Sequence, residues 1–257
     1  MRILTDVRVE ISVESVAGVR IAEQCGADRV ELCAALSDGG LTPSVALIEM
    51  ALAQTTKTEV HVLIRPRPGD FQYSRDEISV MVRDIVAARR AGARGIVIGA
   101  LNSSGAVDPA CAEFVDAAES MQTTFHRAID VSESSQRALE QAISLGFTRV
   151  LTSGRQPRVL EGAPVIKDLA QRAGGSIEVM ACGGVRACNA VQVVEATGVR
   201  DLHAAVRAPI RGQPGGAVSF AGVGVPDGFD RFETDIDEVA ALCAVVRRPP
   251  PGNSSVP

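Results

Sequence analysis

Residues 27–44 read ADRVELCAALSDGGLTPS, and the fold follows from how this stretch is built. It opens as a short strand with Val30 and Leu32 on one side and Glu31 and Cys33 on the other, because strand side chains alternate between faces. With the apolar pair packed beneath helices, Glu31 is aimed into the space on the sheet's far side. A carboxylate there needs partners or a task, since burying an unpaired charge is costly. Gly39–Gly40 then breaks the chain, and Thr42-Pro43 reads as an N-cap followed by proline at the first helical position. The unit is a strand with a polar tip, a loop and a capped helix.

The unit recurs along the chain. Upstream, Val7–Ser12 is a first strand, with Val7, Val9 and Ile11 on one face and Glu10 and Ser12 on the other. Glu14 to Cys25 carries helical spacing and stops at Gly26. Downstream, Val60, Val62 and Ile64 face outward in a third strand and leave His61, Leu63 and Arg65 inside; a helix over Arg75–Ala91 follows the loop RPRPGDFQYS. Further strands are expected at Gly95–Ala100, Gln122–His126, Thr148–Thr152, Ser176–Ala181 and Val199–His203, with the last helix over Ile236–Val246.

Eight strands alternating with eight helices in about 250 residues predict an α/β protein, a single-domain (β/α)8 TIM barrel over residues 1–248. The competitor, an open doubly wound sheet, lacks its GxGxxG after the first strand. Residues 249–257, PPPGNSSVP, read as a disordered tail.

Composition agrees. The chain has 257 residues, 46% hydrophobic but only 3% aromatic, so the core is built of Val, Ile, Leu and Ala. A net charge of −5 argues against nucleic-acid or acidic-membrane partners. Six cysteines without a CxxC pair do not form a disulfide framework. No run approaches the roughly 18 apolar residues of a membrane span, and MRILTDVRVE lacks a signal peptide's apolar core. These features predict a cytoplasmic protein; a homo-oligomer is left open.

Barrel enzymes work at the C-terminal ends of their strands. The inward polar residues near those ends are Glu10, Glu31, Arg65, His126, Thr152 and His203. Glu10 and Glu31 fall at matching positions on adjacent strands, where two carboxylates share a proton or bind a cation. His126 is an acid, base or ligand. Arg65 and Arg127 offer donors to a carboxylate or phosphate, and Asp130 either orients Arg127 or His126 or caps a helix. Gly183–Gly184 either exposes N–H groups to an anion or makes a tight turn. The set predicts Glu10, Glu31 and His126 as acid–base residues acting on a small anionic, phosphorylated or carboxylated, molecule. The alternative is an internal salt-bridge layer that plugs the barrel. Soft metals need thiols, and Cys33 is the thiol placed inward at this end.

The segments VEISVES, ADRVELCAALSDGGLTPS, IRPRPGDFQYS, TFHRAID, RVLTSG and CGGVR, in this order, resemble the CutC copper homeostasis family. The likeness spans roughly residues 7 to 207 and implies a (β/α)8 barrel, a cytoplasmic location and binding of cuprous ion, with no agreed enzymatic activity. Residue by residue, it places the family's glutamates at Glu10 and Glu31 and its IRPR arginine at Arg65. The acid and tyrosine of the following loop fall on Asp70 and Tyr73, and the FHRAxD motif on His126, Arg127 and Asp130. The strand-eight histidine falls on His203 and the proposed copper cysteine on Cys33. Ser12 stands where many relatives have a second cysteine.

Overall fold

The computed structural model describes residues 6–212 and 224–247. Within them the chain runs β1 (Arg8–Val13), α1 (Val16–Cys25), β2 (Arg29–Leu32), α2 (Val45–Leu52), β3 (Glu59–Leu63), α3 (Arg75–Ala91) and β4 (Gly95–Ile98). It continues with α4 (Cys111–Ala118), β5 (Gln122–Phe125), α5 (Ala128–Val131), α6 (Ser135–Leu145), β6 (Arg149–Thr152), α7 (Ala163–Ala173), β7 (Glu178–Ala181) and α8 (Ala190–Thr197). After β8 (Asp201–Ala204) come β9 (Arg207–Ile210), β10 (Arg231–Thr234) and α9 (Ile236–Arg247). β1 to β8 form a closed barrel in chain order, with β1 pairing in parallel to both β2 and β8. The protein is a (β/α)8 barrel.

The core lies between strands and helices. Val9, Ile11, Val30, Leu32, Val60, Val62, Ile96 and Ile98 are all buried on the outer faces of the strands, so each of the first four strands contributes at least two β-branched or leucine side chains to the helical layer. Burying one such side chain stabilises by about 1.5–3 kcal/mol. Helix ends are set locally. Ser74 and Glu77 form a reciprocal capping box at the start of α3, and Gly26, Gly92 and Gly146 close α1, α3 and α6 in the left-handed conformation that only glycine adopts without strain.

Three local features differ from expectation. Ser44, not Thr42, caps α2 by accepting from the Leu47 N–H; the Thr42 hydroxyl instead accepts from the Arg65 N–H and ties the second loop to the third. Directly after the His126 motif the chain makes a short extra helix, α5, in which Asp130 is the only acidic residue. β9 and β10 form an antiparallel hairpin outside the barrel, where no element is expected from the sequence. Its halves are held by Arg207 lying over the Phe232 ring at 4.9 Å. Residues 249–257 lie outside the described residues. No helix among the described residues is long and apolar enough to cross a membrane.

Candidate functional site

The barrel interior has two levels, and register assigns the residues between them. Glu10 is opposite Arg29 on β2 and His203 on β8, whereas Glu31 is opposite Ser12 on β1 and His61 on β3. Glu10 and Glu31 therefore do not sit at matching heights as the sequence suggests; Glu31 is two residues nearer the strand ends. Below it lies a charged layer. Arg29 donates from Nε to Glu10 at 2.7 Å and from Nη2 to Asp201 at 2.8 Å. Arg149 donates to Glu178 at 2.6 Å and to Gln122 at 3.0 Å. Arg29, Arg149 and Asp201 are all almost fully buried, and none was among the expected site residues. The signal for Arg29 was its position two residues before Glu31, which gives it the same inward parity.

Above that layer, at the C-terminal ends of the strands, a cavity of about 210 Å³ is lined by Ser12, Glu31, Arg65, His126, Arg127, His203 and Arg207, with Leu36, Leu63, Phe71 and Leu151 as its apolar wall. His203 links the levels. Its Nδ1 is 2.8 Å from Glu10 Oε1 and its Nε2 is 3.8 Å from Glu31 Oε2. Burial opposes charge on this ring, but the Glu10 hydrogen bond and the negative charges of Glu31 and Glu10 prevail and raise its pKa. Glu10 answers in kind: burial works against its charge, yet Arg29 and His203 hold it well below the usual carboxylate range. Glu31 has no such cation in hydrogen-bond range, and burial pushes it up, with Glu10 adding to the push and His203 opposing it. Among the described residues no N–H or O–H donor lies within hydrogen-bond range of its carboxylate, and the Cys33 thiol is the weak donor beside it. Two glutamates in one barrel are thus driven apart, Glu10 toward the anion and Glu31 toward the protonated acid.

His126 is buried and in contact with Phe71, ring centroids 4.6 Å apart. Burial and the nearby Arg65 and Arg127 push it down to about 3, so the ring is neutral at ordinary pH. Its Nδ1 accepts from the Ala128 N–H at 3.3 Å, which assigns the ring proton to Nε2; that nitrogen has no partner among the described residues.

The remaining expected residues divide between cavity and scaffold. Arg65 lines the cavity, but its guanidinium donates to the carbonyls of Gly40 and Gly69 at 2.9 and 2.8 Å, pinning two rim loops. Arg127 also lines it, steadied by Asp130 at 3.0 Å and Ser153 at 2.8 Å. Asp130 accepts from the Thr152 hydroxyl at 2.6 Å and from the Ser153 and Arg155 N–H groups; Asp130 and Thr152 brace the loop after β6 and lie outside the cavity lining. Asp70 is exposed and paired with Arg67 at 3.1 Å. Tyr73 sits beneath Arg67, whose guanidinium is 5.1 Å from the ring. Neither reaches the cavity. Gly183 and Gly184 both take positive φ, 106° and 81°, and α8 starts only at Ala190. They form a turn rather than a helix N-terminus, and border a separate depression with Arg158 and Arg186.

Cys33 is directed inward as expected, but it is fully buried in a small cluster with Leu63 and Val97. Burial and then Glu31 push its thiol well above the ordinary value, which opposes the thiolate a soft metal needs. Among the described residues no three His, Cys, Asp or Glu side chains come together as a ligand set. The donors present do not fit a cuprous centre.

Comparison with known proteins agrees with the barrel and the motifs on it. The CutC family model matches residues 7–208. The CutC family protein of Pasteurella multocida is 44% identical over 197 residues, 76% of this chain and 80% of that one. The one from Bacteroides fragilis is 40% identical over 234 residues, 90% and 93% of the two chains. The crystal structure of CutC from Streptococcus agalactiae, named for copper homeostasis, superposes with a TM-score of 0.73 at 33% identity, covering 77% of this chain and 97% of that one. This chain belongs to the CutC family.

Proposed function

We propose that the cavity is the site of an acid–base enzyme acting on a small anionic metabolite. The observation that carries this reading is Glu31: a buried carboxylate with raised proton affinity, with no N–H or O–H donor in hydrogen-bond range among the described residues, facing His203 at 3.8 Å inside a 210 Å³ cavity. Perturbed carboxylates in a cleft at this end of a barrel mark active sites more often than structural plugs. Arg127 and Arg207, with His203 favoured toward its charged form, suit an anion. The volume is below the roughly 300–1,000 Å³ of drug-sized sites and favours a molecule of few carbons. Glu31 serves as the proton-transferring group and His126 as a neutral donor. Glu10 orients His203 from below and favours its charged form. Six free cysteines suit a reducing cytoplasm as its location.

The test is binding and its dependence on the site. Pyruvate, lactate, glycerol 3-phosphate and inorganic phosphate are titrated against the full chain by calorimetry. At least one is expected to bind, and Arg127→Ala to weaken it about tenfold or more. Cuprous ion, which the family's name brings forward, is measured beside them by competition with a chromophoric chelator. Stoichiometric cuprous binding lost in Cys33→Ala, with no anion binding, would replace this reading with a copper one.

A further inference from the structure

The reading of the cavity as an acid–base site can be taken one step further, to a reaction class. We infer that the site enolises a small carbonyl compound bearing an anionic group, with Glu31 moving the proton at carbon and His126 holding the carbonyl oxygen.

Three observations converge on this chemistry. First, Glu31 is buried in the cavity, and among the described residues its carboxylate has no N–H or O–H donor in hydrogen-bond range: His203 Nε2 stands off at 3.8 Å and only the weak Cys33 thiol is beside it. A carboxylate used to position something would be expected to hold a strong donor, as Asp130 and Glu10 both do. A carboxylate without one is available to a C–H bond, which offers no hydrogen bond of its own.

Second, His126 carries its proton on Nε2, and that N–H is buried without a partner among the described residues. An unmet buried donor costs about 1–3 kcal/mol, so a bound oxygen acceptor is the natural complement. The ring stays neutral, because burial first, and then Arg65 and Arg127 beside it, oppose its protonation. A neutral imidazole stabilises a developing enolate by donating a hydrogen bond without surrendering its proton outright.

Third, the cavity divides by polarity. Arg127, Arg207 and His203 supply positive charge, whereas Leu63, Phe71 and Leu151 form an apolar wall. A short carbon chain ending in a carboxylate or phosphate matches that division. Ser12 Oγ, also unpartnered and in the lining, adds a polar contact for a hydroxyl.

The step balances without a co-reactant. The Glu31 carboxylate takes the proton from the carbon beside the carbonyl. The C–H electron pair becomes the C=C bond, and the carbonyl π pair moves to oxygen, which accepts from His126 Nε2–H. The Glu31 carboxylic acid then returns the proton to the same carbon, giving exchange. Returned to the former carbonyl carbon of an α-hydroxy carbonyl compound, with the hydroxyl proton passing between the oxygens, it gives isomerisation.

The experiment reads that proton directly. The full chain is incubated in D2O with pyruvate, 2-oxobutyrate or dihydroxyacetone phosphate, and loss of the α C–H signal is followed by proton NMR, with binding of each probe measured by calorimetry. Exchange above the buffer rate is expected for at least one probe. Glu31→Gln should slow it by about 100-fold or more, and His126→Leu by about 100-fold, each with probe affinity changed far less. A probe that binds at this cavity with exchange no faster than buffer overturns the enolisation and leaves the acid–base reading standing. Failure of every probe to bind or exchange overturns both. Should the variants not fold, the wild-type pH profile decides. A rate climbing with ionisation of a carboxyl above its ordinary range supports the inference, and one that is flat between about pH 4 and about pH 8 overturns it.

Discussion

Glu10 touches His203 with one carboxylate oxygen and Arg29 with the other, at 2.8 and 2.7 Å, while no part of its side chain meets water. The contact joins the charged layer at mid-barrel to the cavity above it, because the far nitrogen of His203 faces Glu31. Replacing Glu10 by Gln keeps the shape but leaves a buried guanidinium and an imidazolium sharing one neutral amide. Arg29 retains Asp201, so part of the network survives. Glu10→Gln is expected to cost about 3–5 kcal/mol in urea unfolding, and to lower the NMR-observed pKa of His203. A His203 titration unmoved by the substitution would show that the ring takes its charge from elsewhere.

The two cavity histidines respond to pH in opposite senses. His203 has a raised pKa when folded, so its contribution is complete below the unfolded value of 6.5 and is lost as pH rises through the folded one. His126 is lowered to about 3, so its neutral form stabilises the fold above 6.5 and that contribution drains away as pH falls toward 3. Glu10, also lowered, adds to the acid-side loss below its unfolded value of 4.5. Unfolding free energy measured against pH is therefore expected to fall on both sides of a maximum near neutrality. His203→Gln should flatten the alkaline limb and His126→Leu reduce the acid limb between 6.5 and 4.5, where buried His61 supplies the rest and Glu10 of the unfolded chain has not yet begun to protonate. Parallel curves for the two variants would contradict the assignment.

The parts of this architecture that alternation alone determines were legible from the sequence. Val9 and Ile11, Val30 and Leu32, and Val60 and Val62 announce outer strand faces, and counting such units gives the barrel. The same parity turns Glu31, Arg65, His126 and His203 inward. Height along the barrel is different, because it depends on the stagger between strands. Glu10 and Glu31 look equivalent in sequence, yet register sets one beside Arg29 and the other beside Ser12. Arg29, Arg149 and Asp201 begin their strands, where a charged residue ordinarily reads as a solvated end. Their burial follows only from closure of the sheet. Thr152 reads as an inward polar residue at a strand end and Asp130 as an orienter of Arg127 or His126 or a helix cap; Asp130 does hold Arg127, but it also accepts from Thr152 and the Ser153–Arg155 loop, a pairing that sequence spacing does not reveal.

Closure also makes two arginines of the same layer unequal. Arg29 faces Glu10 and Asp201, both almost fully buried, whereas Arg149 bonds Glu178, whose side chain is 43% exposed. After Arg29→Met the Glu10 carboxylate loses its shortest partner in a place water does not reach. After Arg149→Met water can solvate Glu178, and the pair's loss approaches that of a surface ion pair, about 1 kcal/mol. Arg29→Met is thus expected to lose about 3 kcal/mol or more in urea unfolding, at least twice the loss in Arg149→Met. Equal losses would mean that the mouth of the barrel near Glu178 is as dry as its middle.

Gly99 tests how tightly His126 is held. A methyl group built there would lie 2.7 Å from His126 Nδ1, 2.8 Å from Cε1 and 3.1 Å from Phe125 Cε2. The backbone at Gly99 is not in the left-handed region, so the obstacle is the ring itself and not chain conformation. The ring has little freedom to give way, with Phe71 at 4.6 Å and the Ala128 N–H on Nδ1. Gly99→Ala is expected to destabilise by about 1–3 kcal/mol through overpacking and to disturb the hydrogen bond that assigns the His126 tautomer. Removing the ring should relieve the clash, so Gly99→Ala in a His126→Ala background should cost much less than in the wild type. The coupling between these neighbouring sites is expected at about 1 kcal/mol or more. Strict additivity would place the added methyl against something other than the imidazole, and would sever the link between the shape of β4 and the orientation of the cavity's neutral donor.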